Sequence, residues 1–430
     1  MTDPLDLASA GMTDPLDLAS AGMTDPLDLA SAGMTDPDLP ATPAELLRPA
    51  RPEYGVASLA DVLPSVLSVL GVPGEQDVLG LAGPLAGVRR IVVLLVDGLG
   101  WHQLPAAGQC APALAALTTG GHARRLTTGF PSTTPTSLVS LGTGTPPGPH
   151  GVLGFHTLIP GTDRVLTHTH WVDDPDPRSW QPLPTRLERA AAAGVMVTAV
   201  SRPEFAGSGL TVAANRGGAF VGASGVDELA TELLTALAAA DGPTLVSGYH
   251  PDLDRAGHVH GVESPPWRAA AAELDRLLQR LVDGLPEDAA LLVTADHGQL
   301  NVPAGPTFRF DLDTDPRLRA GVRVVAGEPR ARYLHTEPGA TADVVAAWRS
   351  VLGPAAVVAE RAELVEAGWF GPVPPRHLAR IGDVVVTCQE RFVVLASETE
   401  PGATNLVGFH GGATEVELAI PLMLAARSIV

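Results

Sequence analysis

The stretch HPDLDRAGHVHG, residues 250–261, packs three histidines and two aspartates into twelve positions. Imidazole nitrogen and carboxylate oxygen are donors that zinc prefers, so metal-assisted chemistry is the first candidate. A polar loop with nothing bound has the same composition, and the rest of the chain has to decide. Three further segments carry residues able to do chemistry. TADHGQLN (294–301) sets Asp296 beside His297 at the end of an apolar run; alone, it reads equally as a metal site or a strand-end turn. TTGFPSTTPTSLVSLGTGTPPGPHG (127–151) is a hydroxyl-rich turn leading into a short apolar helix. A Ser or Thr there either caps the helix or is a nucleophile whose alkoxide a cation and the helix dipole stabilise. Locally, capping is the preferred reading. GFHGG (408–412) adds His410 among glycines that let the backbone approach closely.

These residues need a scaffold that gathers distant segments. RIVVLLVDG (90–98), GVMVTAVS (194–201), PTLVSGY (243–249) and AALLVTAD (289–296) are apolar, largely β-branched runs that read as buried parallel strands. VDELATELLTALAAA (226–240) and WRAAAAELDRLLQRLVDGL (267–285) read as helices between them. The alternation implies an α/β fold with a doubly wound, mostly parallel central sheet and helices on both faces. Ligands bind such sheets outside the carboxyl ends of the strands. Three of these strands lead into acidic residues: Asp97, the Asp252/Asp254 pair and Asp296. One such Asp is explained by helix capping, whereas three, two of them near histidines, favour a shared site.

Composition narrows the function. The net charge of -20 argues against binding nucleic-acid duplexes, which needs clustered cations. The longest apolar stretch, Ile91 to Val96, is strand-sized, so no membrane span is expected. Cys110 and Cys388 lack a CxxC partner and are expected as buried thiols. The N-terminus shows no basic region followed by an apolar core, and a cytoplasmic location is expected. MTDPLDLASAG occurs at 1–11, 12–22 and 23–33, each copy broken by Pro and Gly. Residues 1–52 therefore read as a disordered acidic tail with a Pro-rich linker. A multivalent docking peptide is the sharper alternative, with no partner indicated. Residues 53–430 read as a single domain, with room for a cap or inserted segment within about 152–240.

Taken in order, strand-Asp, hydroxyl turn, Asp-x-x-x-His, Asp-His-Gly and late His-Gly resemble the alkaline phosphatase superfamily. The chain looks most like its nucleotide pyrophosphatase/phosphodiesterase (type I phosphodiesterase) branch. The resemblance runs from about Arg90 to His410 and rests on VDGLG, FPSTTPTS, TGTPPGPHG, Tyr-x4-Asp-x3-His and DHG. It implies an alkaline-phosphatase-like fold and a hydrolase of phosphodiester or nucleotide pyrophosphate bonds. It selects Asp254, His258 and His410 for one metal ion, and Asp97, Asp296, His297 and the Thr134 hydroxyl for a second. His250, Asp252 and His260 are then bystanders. Two such sites suit zinc, with manganese the second choice. Thr134 becomes the nucleophile, and Tyr249, five residues before Asp254, a substrate contact. Two departures bear on the substrate: Phe155 stands where many relatives have an Asn that holds a phosphate oxygen, and Pro135 follows the nucleophile where an aromatic is frequent. Threonine as nucleophile and the lack of a nearby Arg clamp favour diesters as small-molecule substrates. The alternatives are a phosphomonoesterase or other hydrolase of the superfamily, and a non-catalytic metal-binding module.

Overall fold

The computed structural model describes residues 46–426. The three N-terminal repeats lie outside the described residues. Seven strands form the central sheet: β1 (Arg90–Val96), β2 (Ala123–Thr127), β3 (Met196–Ser201), β4 (Ala219–Gly222), β5 (Thr244–His250), β6 (Ala289–Thr294) and β11 (Ala419–Ala426). Their order is β2-β11-β6-β1-β5-β3-β4. Only β11 runs against the others. The four strands read from the sequence are β1, β3, β5 and β6, and β1 sits between β5 and β6. Residues 91–96 of β1 are all buried, because a strand covered on both faces has no solvent side.

Helices lie around this sheet, and their apolar spacing shows why. In α3 (Gly225–Ala238) Leu229, Leu233 and Leu237 are buried at intervals of four. In α5 (Pro265–Gly284) Leu274, Leu277, Leu278 and Leu281 repeat at three and four, one face of a helix. Ser264 caps α5 by accepting from the Trp267 N–H, and Pro265 occupies the first turn, where a missing N–H costs nothing. Each buried leucine contributes about 1.5–3 kcal/mol. The hydroxyl-rich turn leads into α2 (Thr134–Thr143), and the opening segment of the sequence forms α4 (Asp252–His260). An earlier helix, α1 (Val62–Val69), buries six of its eight residues.

A second sheet occupies residues that the sequence reading left without elements. β7 (Val322–Glu328), β8 (Ala331–Thr336), β9 (Ala356–Glu360) and β10 (Val384–Cys388) form an antiparallel sheet in the order β7-β8-β10-β9. α6 (Thr341–Leu352) buries Val344, Val345 and Trp348 in the same apolar cluster as Val384 and Val386. Cys388 is buried as expected. Cys110 is only partly so, because it lies just past a short helix, where its Sγ donates to the carbonyls of Ala107 and Arg268. No helix among the described residues is long and apolar enough to cross a membrane.

Candidate active site

The parallel register brings the carboxyl ends of three strands level: Val96 of β1 faces His250 of β5, and Leu95 faces Thr294 of β6. Asp97, Asp254 and Asp296 all follow within a few residues, so sheet geometry alone collects them. Gly98 makes the contact close. At φ +73° it turns the chain out of β1, and its N–H donates to Asp296 Oδ1 at 3.0 Å. A Cβ at this position would lie 2.8 Å from the Cβ of Asp254. Any other residue would push α4 away from β1.

α4 then settles which of the five clustered residues face the site. Residues 254 and 258 share a helical face, and His258 Nε2 lies 3.2 Å from Asp254 Oδ2. His260 is exposed, Asp252 pairs with Arg202, and His250 is buried, its Nε2 without a hydrogen-bond partner. Gly257 lets Gln299 approach: a Cβ there would meet Gln299 Oε1 at 1.7 Å. Gln299 Nε2 donates to Asp254 Oδ1 at 2.8 Å. Gln299 was not among the residues expected, although its place directly after Asp-His-Gly was a usable signal.

Seven of the nine expected residues meet directly. His410 Nε2 is 3.0 Å from His258 Nε2 and 3.9 Å from Asp254 Oδ1. His297 Nε2 is 3.4 Å from Asp97 Oδ1, 3.3 Å from Asp296 Oδ2 and 3.2 Å from Thr134 Oγ1. Thr134 Oγ1 stands 3.5 Å from Asp97 Oδ1. The two groups adjoin, since the rings of His297 and His410 stack at 3.6 Å. Tyr249 joins them by donating its hydroxyl to Asp97 Oδ2. Phe155 does not: its ring meets His156, its carbonyl accepts from His168, and none of the seven is among these partners.

The capping reading of the hydroxyl turn does not survive. Thr133 holds the N-cap position of α2, yet its side chain makes no cap hydrogen bond. Thr134, the first helical residue, instead turns its hydroxyl to Asp97 and His297, while Ser137 Oγ donates to the Asp296 carbonyl and fixes the helix to the β6 loop.

All three histidines are anchored in the same way. The Nδ1 atoms of His258, His297 and His410 face the carbonyls of Gly408, Gly298 and Ser132 at 2.8, 3.2 and 2.9 Å. A carbonyl can only accept, so each Nδ1 carries a hydrogen and each ring aims its Nε2 inward. The Nε2 atoms of His258 and His410 lie 3.0 Å apart and need positive charge between them: a proton, which Asp254 favours on His258 against the effect of burial, or a cation in its place. The carboxylates make the same demand. Burial, then the charges of Asp296 and Asp254, pushes the Asp97 carboxyl well above its usual range. Burial followed by His297 pulls His410 well below the ordinary imidazole value. Asp254 is held low despite its burial, because His258 and His410 outweigh it. Asp296 Oδ2 is buried without any hydrogen-bond partner. One oxygen or nitrogen from each of Asp254, His297 and His410, and likewise from each of Asp97, Asp296 and His297, lies within 4.8 Å of the others. Divalent cations fit this donor set, because they satisfy the orphaned oxygen and separate the opposed ring nitrogens.

A helix-borne hydroxyl among three carboxylates and three imidazoles, at the carboxyl rim of a doubly wound sheet, defines a metal-dependent hydrolase. Residues 91–413 match the model of the type I phosphodiesterase / nucleotide pyrophosphatase family, and the chain belongs to that family, within the alkaline phosphatase superfamily. It is therefore an enzyme that hydrolyses phosphoester bonds. Solved structures share the fold. Murine ectonucleotide pyrophosphatase/phosphodiesterase 5 superposes with a TM-score of 0.63 at 18% identity, covering 77% of this chain and 87% of that one. The human counterpart gives 0.64 at 17%, covering 79% and 88%. Phosphonoacetate hydrolase from Sinorhizobium meliloti 1021, in complex with phosphonoacetate, gives 0.60 at 21%, covering 79% and 90%. No match is found among curated proteins.

Proposed function

We propose that this enzyme hydrolyses phosphodiester or nucleotide pyrophosphate bonds with Thr134 Oγ1 as nucleophile. The observation that carries this is the position of that hydroxyl: at the first residue of α2, 3.2 Å from His297 Nε2 and 3.5 Å from Asp97 Oδ1. Asp254, His258 and His410 would hold one divalent cation, and Asp97, Asp296 and His297 with the Thr134 oxygen a second. Zinc is the preferred ion and manganese the second choice, from the mixed nitrogen and oxygen donors. Bound there, two cations supply positive charge for the attacking and leaving oxygens of an in-line displacement.

The rest falls to the chain. Thr134 passes its proton to solvent, its Oγ1 bonds to phosphorus, and the bond to the leaving oxygen breaks, that oxygen taking up a proton from solvent. Water then displaces Thr134, releasing a phosphomonoester and restoring the hydroxyl. The amino end of α2 favours the negative charge that gathers on the phosphoryl oxygens. Tyr249 holds Asp97 through its hydroxyl, and Phe155, which meets none of the seven clustered residues, offers no side-chain hydrogen bond to a phosphate oxygen. A murine relative described as inactive carries a threonine-to-alanine substitution and holds AMP, which supports threonine as the reacting residue.

The proposal extends to one metallohydrolase domain over 53–430 and to a cytoplasmic location, the latter supported by the two free thiols. The test is a substrate screen of purified, zinc-loaded enzyme with bis-p-nitrophenyl phosphate, p-nitrophenyl TMP, a nucleotide pyrophosphate and p-nitrophenyl phosphate. Faster turnover of the first three is expected. Preference for p-nitrophenyl phosphate would replace this reading with a phosphomonoesterase, and loss of all four activities would leave the metal-binding module.

A further inference from the structure

A groove of about 600 Å3 lies between the second sheet, the turn at Gly161–Asp163 and the short helix Pro375–Leu378. It is separate from the catalytic cluster. β7 carries Arg323, its second residue, at the groove and ends at Glu328, whose carboxylate packs against Gly411 beside His410. The five steps from residue 323 to 328 span roughly 17 Å of extended strand.

Arg323, Arg361 and His335 are the basic side chains of the groove, and the carboxylates of Asp163 and Asp383 line it beside them. Arg323 comes from β7, and Arg361 from the segment after β9. Arg361 Nη1 donates to the Ile381 carbonyl at 2.8 Å, which fixes the guanidinium. His335 of β8 lines the groove at 2% exposure, and its Nε2 has no hydrogen-bond partner. Burial lowers its pKa to about 4, so the ring is neutral near pH 7 and presents an unpaired polar atom rather than a charge.

Both arginines have acidic partners, and both pairs are weak. Arg323 pairs with Asp163, whose side chain is 72% exposed. Arg361 Nη2 lies 3.1 Å from Asp383, both partly exposed. Exposed pairs contribute about 0–1 kcal/mol. Asp383 also accepts from the Thr336 N–H at 2.9 Å, so it stays satisfied if Arg361 turns to a ligand. A single carboxylate would need only one of the two guanidiniums. A phosphate dianion engages both through charge-assisted forks. The volume exceeds what phosphate needs, and Leu158 and Leu378 line the remainder.

We propose that this groove is a second ligand site that binds the phosphate of a nucleotide-sized phosphomonoester, with Arg323 and Arg361 forking its oxygens and His335 Nε2 meeting one of them. It does not rest on the catalytic reading. The test is calorimetric titration of AMP into full-length, zinc-loaded Thr134→Ala protein, with and without Arg323→Ala/Arg361→Ala. Whatever the catalytic cluster binds, the triple variant is expected to bind one AMP fewer per chain, and an equal count overturns the proposal. Inorganic phosphate that displaces this AMP marks the phosphate alone as the ligand chemistry, and adenosine is expected not to displace it. Displacement by adenosine but not by phosphate overturns the proposal. If the alanine variant fails to fold, Arg323→Lys/Arg361→Lys keeps the charge and removes the forks. Affinity for this AMP is then expected to fall about tenfold or more, and unchanged affinity overturns the assignment.

Discussion

Arg330 and Glu417 meet fork to fork with neither side chain exposed, Arg330 Nε and Nη2 each 2.8 Å from a carboxylate oxygen of Glu417. Glu417 also accepts from the Gly412 N–H at 2.8 Å and the Thr414 hydroxyl at 2.6 Å, and its own carbonyl accepts from Gly298. One buried pair therefore holds the turn after His410 and the turn after His297. Removing one partner of such a pair leaves an uncompensated charge and costs about 3–5 kcal/mol. Glu417→Leu and Arg330→Met are each expected to lose that much in denaturant unfolding, and the double variant less than the sum. Additive losses would show that the two residues act independently.

The ligand assignment makes an unequal prediction along α4. Asp254→Ala, His258→Ala and His410→Ala should each lose at least one bound metal per chain, since a tetrahedral site rarely survives a missing ligand. His260→Ala should keep the full count, because that ring is exposed. Elemental analysis of dialysed protein reads this directly. Metal loss at His260 with retention at His258 would move the register by two residues.

Thr134→Ala should bind metal almost as well as the parent, because three protein ligands remain at that site, while turnover falls about 10²-fold or more. Its neighbours differ in kind. Ser132 Oγ donates to the Gly412 carbonyl at 2.7 Å, so Ser132→Ala is expected to lower stability by about 1–3 kcal/mol while turnover changes far less. Thr133→Ala, whose hydroxyl touches none of the expected metal ligands and makes no cap hydrogen bond, should change turnover far less than Thr134→Ala. Rapid-quench trapping with a labelled diester and peptide mapping checks the assignment, and label on any residue other than Thr134 refutes it.

Acid sensitivity should arise partly away from the catalytic cluster. His168 is fully buried and lies edge-on to Trp171. Its Nδ1–H donates to the Phe155 carbonyl at 3.2 Å and its Nε2 lacks a partner. Burial lowers its pKa to about 3, against about 6.5 in an unfolded chain. Between these values the unfolded state binds the extra proton, so stability is complete above pH 6.5 and declines as pH falls. His168→Phe is expected to remove about one proton from the dependence of unfolding free energy on pH between 6 and 5. An unchanged slope in denaturant melts at those two pH values would place the titrating groups elsewhere.

Much of this was legible because buried parallel strands write themselves as continuous apolar runs. β1, β3, β5 and β6 appear in the sequence within two or three residues of their ends, and so does the alignment of Asp97, Asp254 and Asp296 on one rim. The second sheet was not legible. β7 mixes buried, partly buried and exposed positions, and its only pairing is with β8, so it shows neither a run nor a clean alternation.

At the site, residue types and spacing left the candidates open; the resemblance carried by the order of the motifs selected Asp97, Asp254, His258, Asp296, His297 and His410, and the fold brings those six together. Tertiary structure decided the rest. Residue type does not separate Thr133 from Thr134, and the resemblance alone selected Thr134; the packing of α2 against the β6 loop is what turns its hydroxyl to Asp97. The Nε2 atoms of the three histidines are aimed by carbonyls of Gly408, Gly298 and Ser132, two of them far along the chain. Such anchoring has no local signature, because every residue supplies a carbonyl and only the fold determines which one a ring will meet.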